Sequence, residues 1–311
     1  MTTAIRVGLV VEGFFDVPFW AGIDHGGFAA AGLDVDAVVL GGIDSVTAAL
    51  LRGDVQVAVG SPEHVIQDVE AAGQLRMIAG NLNRLTHSLI VRPDILTLRD
   101  LRGRTLGVSA LSAGTSSLWR SMLADIGLSY PDDYTIVEAG PVPPRHGKLL
   151  SGEIDAAMQT DPHNYIGEDA GLGNLGPARG WIPYFQFTSV NVDSRWASAN
   201  SDAVTDFLAV TLQTSAWMYE DQQGAVDLAA RYMPVAPTYL ERAWHDHVES
   251  EALPRDLRLL RASIETAAAM MRVSRGDELT VDPAATADRY VDTSYLIAAQ
   301  RRLGLAEAGL V

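Results

Sequence analysis

The sequence DSVTAALLRGDVQVA, residues 44–58, predicts a helix followed by a short strand. Asp44 or Ser45 suits the N-cap of this helix, and the apolar residues 48–51 form its buried face. Gly53 is a typical residue just after a helix, because glycine adopts positive φ without strain. The apolar residues of 55–59 then favour a strand. A helix that leads into a buried strand is a unit of a parallel α/β sheet.

The same alternation of elements extends in both directions from this stretch. Before it, we expect a strand over residues 7–11, a helix over 19–31 and a strand over 33–40. After it, we expect strands over 105–109, 135–138 and 154–158, with helices over 117–125 and 145–150. Beyond residue 191 the pattern is helical, over 203–219, 223–232, 238–247, 254–271 and 284–299. The chain therefore reads as two similar α/β halves with a helical C-terminal third.

Composition limits the possible functions. The 311 residues are 48% hydrophobic and 20% charged, which suits a soluble protein of two domains. With 23 Lys and Arg against 39 Asp and Glu, the net charge of −16 repels nucleic acid, so we expect no nucleic-acid partner. Cysteine is absent, which excludes disulfides, thiolate metal sites and cysteine nucleophiles. The sequence contains no run of about 18 apolar residues, so we predict no transmembrane segment.

The first ten residues indicate in which cellular compartment the protein is expected. Residues 1–10 lead into a strand without a basic region, a long apolar run or a cleavage site, so we see no export signal there. The expectation is a cytoplasmic protein as the sequence is written, or an extracytoplasmic one if Met1 replaces a removed leader.

Four stretches carry a family resemblance: GLDV at 32–35, residues 44–58, LRDLRGRTLGV at 98–108 and LLSGEIDAA at 149–157. In this order the chain resembles the sulfonate/nitrate/thiamine-pyrimidine family of type II periplasmic binding proteins, the NMT1-type substrate-binding proteins of ABC transporters. The resemblance covers residues 5–300 and implies two Rossmann-like lobes joined by two crossover strands. Lobe 1 would comprise residues 1–87 and 190–311, and lobe 2 residues 88–189, with a ligand cleft between them.

Ligands of parallel sheets bind where the strands end, so the strand-end loops of the first lobe supply candidate ligand-binding residues. The first loop offers two aromatic rings that either stack on a ligand or belong to the core, and two acids that either act in proton transfer, hold a cation or are merely solvated. The loop at 41–45 starts a helix whose free N–H groups suit an anion, although Asp44 argues against one. In the loop after it, Ser61 and Glu63 can donate and accept hydrogen bonds toward a ligand, although Ser61 is equally an N-cap. The candidates are Glu12, Phe14, Phe15, Asp16, Gly42, Asp44, Ser61 and Glu63.

The second lobe and the crossover regions supply the other candidates. The hydroxyl-rich loop 109–117 suits an oxyanion, with Ser112, Gly114 and Thr115 as contacts. The resemblance adds a ligand contact after the strand at 154–158, which nominates Gln159, Asp161 and His163. His163 is a candidate acid, base or donor, although a lone loop histidine is more often none of these. Amides and a guanidinium near the hinge complete the set: Asn83, Arg84 and Gln186.

The function that the resemblance implies is a solute-binding protein that closes on a small organic ligand and passes it to the membrane subunits of an ABC importer. The alternative is a cytoplasmic enzyme on the same scaffold, a decarboxylase, lyase or desulfinase-like protein acting on a small carboxylate, sulfonate or aromatic substrate. The missing cysteine argues against the desulfinase chemistry and leaves Glu12, Asp16 or His163 as acids or bases. A ligand sensor is a third reading, without a residue to support it.

The sequence gives no signal for a cofactor or a metal. Its seven histidines follow no metal-binding spacing, and Walker, Rossmann-fingerprint and G-x-S-x-G motifs are missing. We therefore expect neither a metal nor a cofactor.

Overall fold

The computed structural model describes residues 2–111, 114–275 and 285–311. The strands are Thr3–Leu9 (β1), Leu33–Val39 (β2), Val57–Gly60 (β3), Leu75–Leu82 (β4), Ser88–Val91 (β5), Thr105–Val108 (β6), Thr135–Glu138 (β7), Ala156–Gln159 (β8), Gly173–Pro177 (β9) and Thr188–Asp193 (β10). The first helices are Val17–Asp24 (α1), Gly27–Ala30 (α2), Ile43–Arg52 (α3), Pro62–Glu70 (α4), Gly114–Ala124 (α5), Val142–Ser151 (α6) and His163–Asp169 (α7). The later helices are Ser194–Ala199 (α8), Ser201–Glu220 (α9), Gln222–Tyr232 (α10), Pro237–Ser250 (α11), Arg261–Arg275 (α12) and Ser294–Arg302 (α13).

The strands form two five-stranded mixed sheets. The first has the order β2-β1-β3-β10-β4, in which β1 is parallel to β2 and β3, while β10 is antiparallel to β3 and β4. The second has the order β7-β6-β8-β5-β9, with β6 parallel to β7 and β8, and β5 antiparallel to β8 and β9. The predicted α/β class with two similar halves is confirmed.

The chain passes between the sheets twice. It leaves the first sheet after β4, which ends at Leu82, and returns to it with β10, which begins at Thr188. Everything from β5 to β9 belongs to the second sheet. We refer below to the first and second sheet units, meaning each sheet with the helices packed on it.

Two C-terminal helices contact both sheet units. One face of α12 packs into the core of the first unit through Ile264 and Ala268, while Ala267 joins the core of the second. Helix α11 contacts α7 through polar groups: Arg242 pairs with Glu168 at 2.8 Å, and the Tyr239 hydroxyl donates to Asp169 at 2.8 Å. These helices therefore connect the two units in the arrangement that the structure shows.

Three predicted helices differ from the observed ones, each for a local reason. The helix predicted over 19–31 is interrupted at Gly26, whose φ of 72° lies in the left-handed region, and becomes α1 and α2. The helix predicted over 254–271 begins at Arg261, because the backbone before it makes tertiary hydrogen bonds: Gly80 N–H donates to the Leu257 carbonyl at 2.7 Å. The segment predicted over 284–299 holds a short turn and then α13; Ala284 lies outside the described residues.

Candidate functional site

A cavity of about 230 Å³ lies between the two sheet units. The first unit lines it with residues at the ends of β1 and β3 and the start of α3, namely Val10, Val11, Phe15, Gly41, Gly42, Ile43, Asp44, Ser45, Val59, Ser61, Glu63 and His64. The second unit contributes Ser109, Ala110, Gly114, Thr115, Pro141, Val142, Arg145 and Thr160, and the connecting segments add His87, Phe187 and Thr188. The carboxyl ends of parallel strands thus converge on one cavity, as expected for ligand sites of such sheets.

The walls of the cavity are largely apolar. Val10, Val59, Phe15 and Phe187 supply hydrocarbon and aromatic surface. Hydroxyl groups interrupt this surface on the side of the second unit, where Ser109 Oγ lies 3.4 Å from Thr115 Oγ1. Such a cavity suits a small organic molecule held by apolar contact and oriented by a few polar groups.

The two units meet at the cavity through Glu63 and Gly114. The Glu63 carboxylate accepts a hydrogen bond from the Ser61 hydroxyl and lies against the backbone at the start of α5. A Cβ atom placed on Gly114 would lie 2.3 Å from Glu63 Oε1 and 3.3 Å from Phe185 Cζ. A side chain at position 114 would therefore displace the Glu63 carboxylate from this contact.

His64 links two side chains of α3 at the cavity. Its Nδ1 lies 2.6 Å from Thr47 Oγ1, and its Nε2 lies 3.4 Å from Asp44 Oδ1. Asp44 is exposed, whereas the His64 ring is mostly buried. The carboxylate therefore sits at the solvent side of the cavity with a histidine partner.

Arg145 brings a buried positive charge to the inner wall. It is 2% exposed, and its guanidinium donates from Nη1 to the Gly140 carbonyl at 3.0 Å and from Nη2 to the Met158 carbonyl at 2.8 Å. Burial lowers the pKa of Arg145 to about 10, so the group stays charged at neutral pH. Burial, helped by the charge of Arg145, lowers the pKa of His87 to about 3, so that ring is neutral.

The sequence-predicted residues divide into three groups. Those that line the cavity are Phe15, Gly42, Asp44, Ser61, Glu63, Gly114 and Thr115. Those placed elsewhere are Glu12, Phe14, Asp16, Asn83, Arg84, Gln159, Asp161, His163 and Gln186. Ser112 lies outside the described residues.

The residues of the first loop that do not line the cavity have other surroundings. Glu12 is exposed to solvent. Phe14 is fully buried in the core of the first unit, with its ring centroid 5.4 Å from that of His247. Asp16 is also fully buried and accepts the Gly13 N–H at 3.0 Å; burial raises its pKa well above the usual value. Phe14 and Asp16 therefore face the protein interior.

The hinge amides hold the crossover segments together. Gln186 Nε2 donates to Asn83 Oδ1 at 2.8 Å and to the Thr188 carbonyl at 2.8 Å. Asn83 Nδ2 donates to the Arg258 carbonyl at 2.7 Å, and Arg84 Nη1 reaches the Ser250 carbonyl at 3.4 Å. These side chains satisfy backbone groups rather than face the cavity.

Gln159 and Asp161 are buried and His163 is half-buried, and none of the three lines the cavity, whereas Thr160 does. Among the described residues, neither end of the Gln159 amide has a hydrogen-bond partner. Burial, with His146 and Arg145 nearby, lowers the pKa of His163 to about 4. Gln159 is the last residue of β8, and the next residue, Thr160, is the one that lines the cavity.

Arg145, His87, Thr160 and Thr188 line the cavity but are not among the residues predicted from the sequence. The predicted strand-end residues follow β1, β2, β3, β6 and β8, whereas Arg145 lies beyond the end of β7, where Gly140 and Pro141 precede α6. The strand-end rule, extended to the loop after β7, points to Arg145. Nothing local marks His87 or Thr188, because they reach the cavity only through the pairing of the crossover segments.

Asp161 provides a prediction about pH. Its carboxylate is buried, and burial raises its pKa; the charge of His247 and hydrogen bonds from its own backbone and from Thr86 oppose this rise, while Asp246 reinforces it. An acid with a raised pKa in the folded state makes stability fall as pH rises from about 4, its unfolded value, through its folded value. We expect Asp161→Asn to match the wild-type melting temperature at pH 3.5 and to exceed it increasingly at higher pH.

The measurement is a thermal melt of both proteins across pH 3.5–8. Asp125→Asn, a change at an exposed acid, serves as the matched control and should leave the profile unchanged. A variant that melts below wild type at pH 7 would instead mean that Asp161 is charged and stabilised by His247.

Within the part of the chain that the structure describes, no group of three or more metal-ligating side chains comes together. Among the same residues, no helix is both long and apolar enough to cross a membrane.

Comparison with known proteins gives one family and many similar folds. The model of the family described as NMT1/THI5 like matches residues 16–225. No curated protein matches the chain. Among solved structures, the alkanesulfonate-binding protein SsuA of Xanthomonas axonopodis pv. citri, bound to MOPS, has a TM-score of 0.72 at 17% identity, covering 91% of this chain and 97% of its own.

Two periplasmic proteins are similar to the same extent. The aliphatic sulphonate binding protein SsuA of Escherichia coli has a TM-score of 0.74 at 15% identity, covering 94% of this chain and 92% of its own. The nitrate-binding protein NrtA of Synechocystis PCC 6803 has a TM-score of 0.75 at 11% identity, covering 97% and 89%. At these identities the similarity shows the fold, and it confirms the periplasmic binding protein architecture expected from the sequence.

Proposed function

This chain belongs to the NMT1/THI5-like family, and we propose that it is a solute-binding protein that closes on one small organic molecule and delivers it to an ABC importer. The observation that carries the proposal is the cavity of about 230 Å³ lined by strand-end residues of both sheet units. A site divided between two units is complete only when they are together, so binding and closure are coupled. The sulfonate- and nitrate-binding neighbours support the same reading.

The lobes that move would be residues 1–87 with 190–311, and residues 88–189. Support comes from the two passages of the chain between the sheets, after Leu82 and before Thr188. The amide network of Gln186 and Asn83 bridges both passages and suits a hinge, because its bonds lie next to the pivot and need not break on closure.

An extracytoplasmic location and contact with importer membrane subunits belong to this proposal. Periplasmic proteins among the structural neighbours support them. The compartment is tested by fractionating the source cells and determining the N-terminus of the recovered protein by mass spectrometry. Recovery only from the cytoplasm would contradict the importer role.

The enzyme alternative has less support. Its candidate acids and bases do not line the cavity: Glu12 is exposed, Asp16 is buried in the first unit, and His163 is half-buried outside the lining of the cavity. A general acid or base must reach the reacting atom directly or through one water. The geometry therefore favours the binding function over the enzyme alternative.

The test of the binding function is native mass spectrometry of the protein purified from its source. We expect one small organic molecule bound per chain, and small-angle scattering should show a more compact protein when that molecule is added back. A protein that purifies empty, and whose scattering no extract fraction changes, would contradict the proposal.

Thr115 offers a point mutation for the same site. Its hydroxyl lines the cavity at the start of α5, and Thr115→Val keeps the shape while removing the hydrogen-bonding group. We expect the affinity for the co-purified molecule to fall about tenfold, since such a bond contributes about 1.5 kcal/mol. Calorimetry measures the effect, with Thr211→Val in the interior of α9 as control. Equal losses in both variants would rule out a specific role for Thr115.

A further inference from the structure

Tyr165 of α7 joins the two sheet units. It lies in the segment that forms the second unit, yet its side chain is 5% exposed and belongs to the hydrophobic core cluster of the first unit. Among the described residues, every other buried side chain of that cluster comes from outside the segment 88–189. Separating the two units would therefore expose this ring to water, which is unfavourable.

Polar side chains of α11 and α7 surround this ring. The Tyr165 hydroxyl donates a hydrogen bond to Asp246, and burial raises the pKa of this tyrosine, so the hydroxyl keeps its proton. The Arg242 Cζ atom lies 4.0 Å from the centroid of the Tyr165 ring, and Arg242 Nη2 pairs with Glu168 at 2.8 Å. An exposed ion pair alone contributes little to stability, but this one also holds the guanidinium on a buried ring. The four side chains thus form one network across the two units.

The network lies along α11 at increasing distance from the crossover segments. The C-terminal end of α11 meets the first crossover segment, where Arg84 Nη1 reaches the Ser250 carbonyl at 3.4 Å. Asp246, Arg242 and Tyr239 follow toward the N-terminal end of the helix, at a spacing that places them on one face. Tyr239, whose hydroxyl also donates to α7, is separated from Ser250 by about 16 Å of helix. A rotation about the crossover segments moves a contact in proportion to its distance from them, so opening separates Arg242 and Tyr239 from α7.

We propose that four side chains form a latch that favours the closed arrangement of the two units: Tyr165, Glu168, Arg242 and Asp246. None of them lines the cavity, so the latch sets how readily the units close and not which molecule they hold. The inference rests on the closing movement of the proposed function, but not on the identity of a bound molecule. Loss of the latch lowers the closed fraction, and the affinity of the cavity falls with that fraction.

The experiment measures the separation of the two units without a ligand. Because the sequence contains no cysteine, Leu51→Cys and Leu150→Cys, at exposed positions of α3 and α6, attach one spin label to each unit. The N-terminal ends of both helices line the cavity, so opening of the cavity moves the labels apart. Double electron–electron resonance of the dialysed protein gives the distribution of label distances, and we expect the shorter, closed distance to dominate.

Two variants remove parts of the latch and keep the aromatic ring in place. Arg242→Gln removes the ion pair and the charge on the ring, and Tyr165→Phe removes the hydrogen bond to Asp246. We expect each variant to lower the ratio of closed to open molecules about fivefold, the effect of losing one such interaction. Thermal melts of the labelled proteins confirm that both variants are folded.

Each variant has a matched control within the first unit. Arg302→Gln removes an arginine whose side chain is 43% exposed, against 45% for Arg242, and which pairs with two acids of α9. Tyr232→Phe removes a hydroxyl that donates to Asp24 at 2.9 Å. Neither control should change the distribution of label distances.

The outcomes separate the latch from the solute-binding function. Label distances in Arg242→Gln and Tyr165→Phe that equal those of the unmodified chain, or that become shorter, overturn the latch. A shift of the same size in the control variants also overturns it, because the effect would then not depend on the contact between α11 and α7. A shift confined to the latch variants, in a protein that purifies without a small molecule, supports the latch and contradicts solute binding. A bound molecule together with unchanged distances does the reverse.

Discussion

Replacing Phe14 with alanine is expected to lower the free energy of unfolding by about 3–5 kcal/mol, the usual cost of removing a buried phenylalanine. Phe14 is 0% exposed in the core of the first sheet unit, where its ring lies 5.4 Å from that of His247 on α11. The melting temperature should fall on the order of 10 °C. Thermal melts and calorimetric ligand titrations below the transition are the measurements.

Phe15 is the matched control because the two neighbouring phenylalanines face different surroundings. Phe15 is 8% exposed and lines the cavity, so Phe15→Ala removes ring surface that a bound molecule would contact. We expect this variant to lose less stability than Phe14→Ala and more affinity, roughly 1 kcal/mol for the lost aromatic contact. A Phe14→Ala protein that keeps its melting temperature but loses binding would place Phe14 in the site after all.

Replacing Gly114 with valine is expected to lower ligand affinity at least 100-fold while both sheet units stay folded. A Cβ at this position would lie 2.3 Å from Glu63 Oε1 in the arrangement described here. The overlap with Glu63 exists only when α5 of the second unit meets α4 of the first, whereas the 3.3 Å contact with Phe185 lies within the second unit. Valine therefore destabilises the closed state more than the open one, and affinity falls with the population of the closed state.

The control for Gly114 is Gly147 within α6, where an added Cβ has no neighbouring atom within 4 Å. Gly147→Ala should bind normally and melt slightly higher, because alanine is the better helix residue. The smaller change Gly114→Ala is then combined with Glu63→Ala, which removes the clashing carboxylate. Strictly additive losses in the double variant would contradict the steric explanation, since relief of the clash predicts partial recovery.

Arg145 shows why the candidate site was only partly predictable. The sequence predicts a helix over 145–150, and the observed α6 contains it. Its burial, however, depends on the carbonyls of Gly140 and Met158, which come from two different strand ends of the second sheet. A sequence pattern shows that an arginine is near the start of a helix; it does not show whether the guanidinium points to solvent or into a cavity.

The loop that follows β6 shows the opposite case, in which the sequence correctly predicts cavity residues. Glycine and hydroxyl residues after a predicted strand nominate Gly114 and Thr115, and both line the cavity. The prediction holds because the carboxyl ends of parallel strands lie at one edge of the sheet. It does not hold for Gln159 and Asp161, because Thr160 between them is the residue that lines the cavity, and the order of residues after the strand does not show which side chain faces it.

Local sequence patterns suffice to predict the two α/β halves, the strand Thr135–Glu138 and the end of α3 at Gly53, because periodicity and the left-handed preference of glycine act over a few residues. Long-range packing sets the start of α12 at Arg261, the burial of Phe14 in the core with Phe15 at the cavity, and the burial of Arg145 with no acidic partner among the described residues. Each of these depends on segments far apart in the chain, whose relative positions are set when α11 and α12 pack across both sheet units. Short-range preferences carry no information about that packing.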